Sequence, residues 1–335
     1  MTATSVDTAG VHLLLSGAVL CPHSYSADDV SRVTKTAACL RDAIAACVFS
    51  RPVRVLGSAW INALDQQLLR VHLPELGLVS FFGDGAKPAR PCTQYRCFFR
   101  TAGPKMGVSV PFACPRELEP VELELEASNL TVTGLDIKKR EVFAVAGSNA
   151  QGKTTFLEGI ISGMDDHAAG DGRERIVTVH GLCSAEATNC ELAGADVSMF
   201  FSALPPGMDG TVKAAYGTGG GSMTMAYQVQ RAIVRGTPIL IIDEDRAVAN
   251  LLVRSCLQTG EITPLSEILA HDRGKMGETT LVFAACAMDT LIAQADRIMV
   301  LDRHVASAID CGGFRRRLAT SLEKIAGEIL EKDGP

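Results

Sequence analysis

The sequence predicts an α/β fold with a mostly parallel sheet, flanking helices and an antiparallel side sheet. Three observations support this prediction. Apolar strand runs alternate with helical patterns through most of the chain after residue 120. One of these runs, at residues 142–146, leads into a glycine-rich turn that opens a helix. Another run, Ile239–Asp243, has four apolar residues and ends in an acid, and two more acids follow it. This pattern is typical of a fully buried strand.

The glycine-rich turn has the spacing of a P-loop, which binds the phosphates of a nucleotide. Glycines allow the main chain to curl so that its N–H groups surround an anion, and the helix N-terminus adds positive charge. Lys153 would reach the β- and γ-phosphates of ATP, and the Thr154 hydroxyl would bind Mg²⁺. The alternative is a glycine turn that matches the spacing by chance. The predicted nucleotide-binding residues are Gly147, Ser148, Asn149, Ala150, Gln151, Gly152, Lys153, Thr154 and Thr155.

The acids after the strand Ile239–Asp243 suggest a hydrolytic site. Asp243 would orient the Mg²⁺ shell together with Thr154, and Glu244 would be the general base that polarises the attacking water. Glu244 and Lys153 are therefore the predicted catalytic residues. The alternative interpretation is a buried strand whose terminal acids are merely exposed.

A second glycine-rich segment, at residues 217–226, carries Ser222 and leads into a helix just before Ile239–Asp243. This order is typical of the ABC class, in which such a helix N-terminus binds the nucleotide of a partner subunit. The alternative is a flexible glycine loop.

Composition limits the class of protein. The chain of 335 residues is 47% hydrophobic with a net charge of −6, which suits a globular core and argues against a nonspecific nucleic-acid coat. Eleven cysteines without a C-x-x-C pair indicate neither a disulfide framework nor a zinc site. We therefore expect an intracellular, reducing compartment, the cytoplasm or the mitochondrial matrix. No apolar run is long enough to predict a membrane span.

The N-terminal third differs in charge from the rest. Residues 1–110 carry a net charge of +4, and residues 87–116 contain basic residues and aromatics but no acid. Cations and rings together are typical of a single-stranded nucleic-acid surface, whereas the alternative is a solvated loop above buried aromatics. The candidate contacts to RNA or another nucleic acid are Lys87, Arg90, Arg96, Arg100 and Lys105.

Periodicity also predicts the domain organisation. A helix should begin near Ser26, and its apolar positions should pack on a core. A second helical pattern runs from Trp60 to near Pro74. We predict an N-terminal α/β region at 1–118, an ABC-type P-loop core at 119–312 and a C-terminal helix at 313–335. The apolar positions of the first helix are Val30, Val33, Ala37, Leu40, Ile44 and Cys47.

Over nearly its whole length the chain resembles the family called predicted ATPases of the ABC class, which includes an RNA-editing-associated mitochondrial ATPase of kinetoplastids. The shared pieces occur in the family's order. The resemblance implies a homodimer that sandwiches two ATP molecules, with the P-loop of one subunit facing Ser222 of the other. The pieces are at residues 54–57, 77–85, 170–173, 196–200, 204–207, 243–245 with 249–250, and 262–265.

The chain departs from this family at several places, three of which lie near the predicted site. Ser222 is kept, but Met225 stands where the family has Gln, and Arg246 stands where Thr is common. No histidine follows the strand at Phe283, although Asp289 matches the family's acid. Three functions remain: a dimeric ATPase that acts on RNA, an ATP-binding regulatory module with little turnover, and a P-loop kinase for a small acceptor.

Overall fold

The computed structural model describes residues 3–7, 10–14, 26–50, 53–90, 110–257 and 260–331. Its strands are β1 (Ala3–Asp7), β2 (Gly10–Leu14), β3 (Leu78–Gly83), β4 (Val121–Leu125), β5 (Leu130–Lys138), β6 (Val142–Ala146), β7 (Ile176–Thr178), β8 (Cys183–Ala185), β9 (Cys190–Ala195), β10 (Asp209–Thr211), β11 (Ala214–Gly219), β12 (Ile239–Asp243), β13 (Thr280–Ala285), β14 (Arg297–Asp302) and β15 (Val305–Ile309). Its helices are α1 (Ala27–Phe49), α2 (Val53–His72), α3 (Lys153–Ser162), α4 (Gly221–Val234), α5 (Ala249–Leu252), α6 (Leu265–His271), α7 (Asp289–Ile292) and α8 (Cys311–Glu331).

A six-stranded sheet in the order β15-β14-β6-β13-β12-β8 forms the centre of the fold. Its neighbouring strands are parallel except for β15, which runs antiparallel to β14. This agrees with the predicted, mostly parallel sheet. In the register, Ala146 of β6 lies opposite Ala285 of β13, and Ala284 lies opposite Asp243 of β12. The carboxyl ends of these three strands therefore meet at one edge of the sheet.

Both faces of the six-stranded sheet are buried. Along β12 the side chains of Leu240 and Ile242 enter one apolar cluster, whereas Ile239 and Ile241 enter the other. Successive side chains of a strand point to opposite faces, so a strand covered on both sides reads as a continuous apolar run. This is why the strand could be recognised in the sequence.

An antiparallel sheet in the order β4-β5-β3-β7 shares the second cluster with the central sheet and α3. Phe156 of α3 stacks on Phe82 of β3 with ring centroids 4.5 Å apart, and Phe112 packs edge-on against Phe82 at 4.7 Å. The side sheet thus matches the prediction. Because β3 joins it, part of the predicted N-terminal region lies in the same sheet as strands of the predicted core; the domain division itself stays a prediction.

Arg297 at the start of β14 ties the two sheets together at the edge opposite the P-loop. Its guanidinium donates to Asp136 Oδ1 at 2.8 Å and to Glu141 Oε1 at 2.5 Å, and both carboxylates are buried. Burial alone would lower the pKa of Arg297, but the hydrogen bonds and charges of Glu141 and Asp136 raise it overall. The charged guanidinium therefore links β14 to β5 and to the turn before β6.

The two N-terminal helices differ from the prediction. The expected packing of α1 on a core is wrong for the described residues, because none of its described side chains is buried and Val30 is exposed. Helical spacing shows which face is apolar but not which element covers it. Helix α2 begins at Val53, before the predicted Trp60, and its C-terminal half contributes Leu69 to the second cluster.

A third sheet has the order β10-β11-β9, and its strand β11 ends at Gly219, just before α4 begins at Gly221. Among the helices that the structure describes, none is both long and apolar enough to span a bilayer. The described cysteine side chains are free thiols.

Candidate nucleotide-binding site

The P-loop connects the end of β6 to the start of α3 and needs glycine at two positions. Gly147 has φ +140° and Gly152 has φ +105°, and Ala150 between them is also left-handed at φ +62°. A Cβ on Gly147 would lie 2.4 Å from the Leu301 carbonyl oxygen, and one on Gly152 would lie 2.8 Å from a ring nitrogen of His304. Side chains at 147 and 152 would therefore push β14 and the following turn away.

Lys153, the first residue of α3, lies across the P-loop. Its Nζ donates to the carbonyl oxygens of Gly147 at 2.7 Å and Ser148 at 2.9 Å, and the residue is 8% exposed. The N–H groups of Lys153, Thr154 and Thr155, at the start of α3, have no partners within the helix. The ammonium and these N–H groups together form a site suited to an anion.

Asn149 and Gln151 complete the loop. Asn149 O accepts a hydrogen bond from Gln151 Nε2, and Gln151 Oε1 accepts one from the backbone N–H of Arg303. The turn between β14 and β15 therefore holds the P-loop from the side opposite β13. Arg303 and its neighbour His304 both have left-handed backbones.

Thr154 and Asp243 lie next to each other, as the sequence predicted for a Mg²⁺ site. Thr154 Oγ1 donates to Asp243 Oδ2 at 2.8 Å, and Asp243 is buried. A hydroxyl and a carboxylate are hard oxygen ligands, and Mg²⁺ typically takes only one or two protein ligands beside water and phosphate. These two residues fit that ion, although the described residues contain no cluster of three or more His, Cys, Asp or Glu.

Glu244 follows Asp243 directly and is fixed by the backbone. Its Oε2 accepts hydrogen bonds from the N–H groups of Cys286 and Ala287, just beyond the end of β13. The carboxylate is thus at the carboxyl edge of the sheet beside Asp243 and close to the P-loop. Both hydrogen bonds that this carboxylate accepts come from main-chain N–H groups.

Ser222 occupies the first turn of α4 and not the P-loop. Its Oγ donates to Asn250 Oδ1 at 3.0 Å. Both residues line a cavity of about 370 Å³ together with the loop at 205–208. The structure therefore places the Ser222 surface apart from the P-loop of the same chain.

Arg246 links the P-loop helix to the region around α4. Its guanidinium donates to Glu158 of α3 at 3.0 Å and to Glu186 after β8 at 2.8 Å. Burial lowers the pKa of Arg246, but the hydrogen bonds to Glu186 and Glu158 raise it overall. The Arg246 carbonyl also accepts the Ala187 N–H.

The basic segment is only partly described. Arg96, Arg100 and Lys105 lie outside the described residues. Arg90 is buried and pairs with Asp171 at 2.6 Å, so its guanidinium does not face solvent. Phe112 belongs to the core, and Lys87 is exposed. The described part of this segment thus matches the interpretation of a loop above buried aromatics.

Similarity to known proteins identifies the family of this chain. The model of the ABC_ATPase P-loop domain matches residues 53–331. The chain belongs to the ABC ATPase family. This confirms the predicted ABC-type P-loop fold; the specific relation to the kinetoplastid protein stays a prediction.

One relative of this ABC ATPase is an uncharacterized protein of the archaeon Methanocaldococcus jannaschii, which is 44% identical over 281 residues. The match covers 83% of the chain and 62% of the relative, so the chain spans less than two thirds of that protein's length.

Two solved structures also resemble this ABC ATPase. One is an inward-facing metal-chelate type ABC transporter, with 14% identity, a TM-score of 0.36, and coverage of 58% of this chain and 82% of the other. The second is a bacterial Atm1-family ABC exporter with ATP bound. It has 16% identity and a TM-score of 0.39, and the match covers 75% of this chain and 42% of the exporter chain. Similarity at this level carries no argument about the function of this chain.

Sequence reasoning missed several parts of this ABC ATPase site. The N–H groups of Cys286 and Ala287 that hold Glu244 belong to the main chain and have no residue-type signal. The turn that contains His304 likewise has no glycine to mark its left-handed backbone. Asn250 stood in one of the pieces shared with the family that the chain resembles, but its contact with Ser222 was not predicted.

Proposed function

We propose that this ABC ATPase binds ATP with Mg²⁺ at the P-loop, hydrolyses it at a homodimer interface, and couples opening and closing of the dimer to binding of a nucleic acid, RNA in particular. The observation that supports this function best is the meeting of three strand ends. They bring Lys153, the contact between Thr154 and Asp243, and Glu244 to one edge of the sheet.

ATP binding follows from charge and hydrogen bonding. Lys153 and the N–H groups of the P-loop would neutralise the β- and γ-phosphates. Thr154 and Asp243 would hold Mg²⁺, and the ion would neutralise charge that develops during phosphoryl transfer.

Hydrolysis needs a base beside the terminal phosphate. Glu244 is the carboxylate directly after Asp243, and its Oε2 accepts the hydrogen bonds from Cys286 and Ala287, which leaves Oε1 to accept a proton from water. A second candidate function is an ATP-binding regulatory module with little turnover, which the departure at Met225 favours. A turnover measurement on the purified chain separates the two, because only an ATPase releases phosphate from ATP at a rate that depends on Glu244.

The homodimer is proposed because Ser222 and Asn250 line an open cavity away from the chain's own P-loop. Serine, an amide and the N-terminus of the 14-residue helix α4 suit the γ-phosphate held by a partner subunit.

A Ser222→Arg variant tests this arrangement. We expect it to bind ATP as wild type does, because its own P-loop is unchanged, but to stay monomeric with ATP and Mg²⁺ and to lose hydrolysis, because the arginine fills the partner's nucleotide site. Light scattering and ATP titration measure the two properties separately.

Ser307→Arg, at an exposed position on β15, is the matched control and should behave as wild type. If the Ser222→Arg variant dimerises with ATP and hydrolyses it normally, Ser222 is not part of a shared site.

The proposed binding of nucleic acid is supported by the distribution of charge alone. The net +4 of residues 1–110 contrasts with the acidic remainder, and Arg96, Arg100 and Lys105 lie within the acid-free segment. Arg90 is not included, because its guanidinium is buried against Asp171.

Replacing Arg96 and Arg100 with Glu should weaken binding of single-stranded RNA. The slope of log affinity against log salt should fall in magnitude by about 0.7 for each phosphate contact that is lost, because fewer counterions are released. ATP binding should not change. The control is Arg316→Glu with Arg317→Glu on α8, which alters charge equally. The proposed nucleic-acid binding is refuted if the wild-type protein does not bind RNA. It is also refuted if the changes at Arg96 and Arg100 leave the salt dependence of RNA binding intact.

A further inference from the structure

A cavity of about 250 Å³ lies between helix α2 and the antiparallel side sheet. One face of α2 and one face of the sheet form its walls, and the loop before β7 also contributes residues. The floor of the cavity is apolar. It is formed by the buried side chains of Leu69 on α2 and of Phe81, Val132 and Val177 on the sheet.

The cavity lies on the other face of the side sheet from the P-loop helix. Phe81 lines the cavity, whereas the next residue, Phe82, stacks on Phe156 of α3. Successive side chains of a strand point to opposite faces of a sheet. The sheet itself therefore separates a molecule in this cavity from the proposed ATP site.

A buried carboxylate lines the cavity without a cation to balance it. Asp65 of α2 is 5% exposed, and its Oδ1 accepts hydrogen bonds from the N–H groups of Ala127 at 2.9 Å and Ser128 at 3.1 Å. Within the described part of the chain, Asp65 forms no ion pair and its Oδ2 accepts no hydrogen bond. Buried charges in proteins are normally paired, because burial removes their hydration. A cationic ligand would supply the missing partner.

A second unsatisfied group lies next to this carboxylate. The buried hydroxyl of Ser128 has no hydrogen-bond partner among the residues that the structure describes, and Ser128 lines the cavity. The backbone N–H of the same residue is bonded to Asp65 Oδ1, which places the hydroxyl near the carboxylate. An ammonium group has three N–H donors. A single ammonium could therefore satisfy both Asp65 Oδ2 and the Ser128 hydroxyl.

The other charged groups on the cavity wall already have partners. Glu174 accepts the N–H groups of Gly170 and Gly172, one on each carboxylate oxygen. Arg175 is exposed and donates to the Asp84 carbonyl. The lining thus has two carboxylates and one guanidinium, a net charge of −1. This balance favours a cation over an anion.

We propose that this cavity binds a small aliphatic primary amine, with its ammonium group at Asp65 Oδ2 and the Ser128 hydroxyl. The alkyl chain lies on the apolar floor, where it contacts Leu69, Phe81 and Val177. The volume is below the range that is usual for drug-sized ligands, so the chain is short. This amine site is a second ligand site of the protein, distinct from the P-loop.

Titration calorimetry of the wild-type protein with n-pentylamine and with 1-pentanol tests the proposal, because the two molecules differ only in the polar group. We expect the amine to bind on the order of tenfold more tightly, since a hydrogen bond to a charged group is stronger than a neutral one by about that factor. Asp65→Asn should remove this advantage, while its amide oxygen still accepts the N–H groups of Ala127 and Ser128.

Ser128→Ala is a second variant that keeps the fold, because the hydroxyl that it removes bonds no described residue. It should weaken binding of the amine severalfold. Asp196→Asn is the matched control, because Asp196 Oδ1 also accepts a backbone N–H, that of Ser198, but lies outside the cavity. The control should bind the amine as wild type does.

Three results would overturn the amine site. The wild-type protein might bind the amine no more tightly than the alcohol, or not at all. Either cavity variant, in folded form, might keep the wild-type affinity for the amine. The Asp196→Asn control might lose as much affinity as Asp65→Asn. None of these results bears on the proposed ATP site, and Lys153→Ala should bind the amine as wild type does.

Discussion

A Lys153→Ala variant is expected to lose detectable ATP binding. The ammonium of Lys153 is the one side-chain cation at the centre of the P-loop, where it bonds the carbonyls of Gly147 and Ser148. A charged hydrogen bond to phosphate contributes about 1.5–3 kcal/mol, and Lys153 would make more than one, so affinity should fall by at least about 100-fold. Isothermal titration with ATP and Mg²⁺ measures the loss.

Two further variants sharpen this result. Lys153→Arg keeps the charge, but its planar group does not fit between two carbonyls that bind an ammonium, so it should not restore binding. Lys275→Ala removes an exposed lysine whose partner is Asp272 and should bind ATP as wild type does. Equal thermal unfolding temperatures would show that the variants are folded. Unchanged affinity of a folded Lys153→Ala protein would exclude the P-loop as the nucleotide site.

The second large effect concerns Glu244. Glu244→Gln should keep ATP bound and hold the proposed dimer closed while hydrolysis falls by about 10²–10⁴, because an amide has the same shape but cannot take a proton. The amide oxygen can still accept from the N–H groups of Cys286 and Ala287, so the local fold is kept. Phosphate release and size-exclusion chromatography with ATP and Mg²⁺ report the two effects.

Asp245→Asn is the matched control, because it neutralises the adjacent exposed acid. Its rate should stay within about twofold of wild type, since a surface charge outside the site contributes little. If the Glu244→Gln protein hydrolyses ATP at the wild-type rate, Glu244 is not the general base. The ATP-binding regulatory module would then be the better-supported function.

Local sequence signals predicted the centre of the fold well. β12 could be recognised because burial on both faces demands an uninterrupted apolar run, and the P-loop because Gly147 and Gly152 must adopt left-handed backbones. Thr154 and Asp243 could be paired in advance, since parallel strands bring their carboxyl ends together.

Several other features that depend on contacts over long sequence separations were not predicted. Strand β9, Cys190–Ala195, is mostly exposed and lacks a two-residue alternation, so its sheet with β10 and β11 has no clear sequence pattern. The apolar positions of α1 predicted a helix but not that the described part of the chain leaves its apolar side chains unburied. His304 gave no signal, because its closeness to Gly152 depends on how β14 lies beside β6.

The bridge made by Arg246 has a consequence for cooperativity. Its two carboxylate partners belong to different elements: Glu158 lies on the P-loop helix, and Glu186 lies beside Ala187, which packs against Gly221 at the start of α4. In the proposed dimer, α3 serves the subunit's own nucleotide and α4 serves its partner's. Communication between the two bound nucleotides would then have a definite route within each subunit, through a single guanidinium.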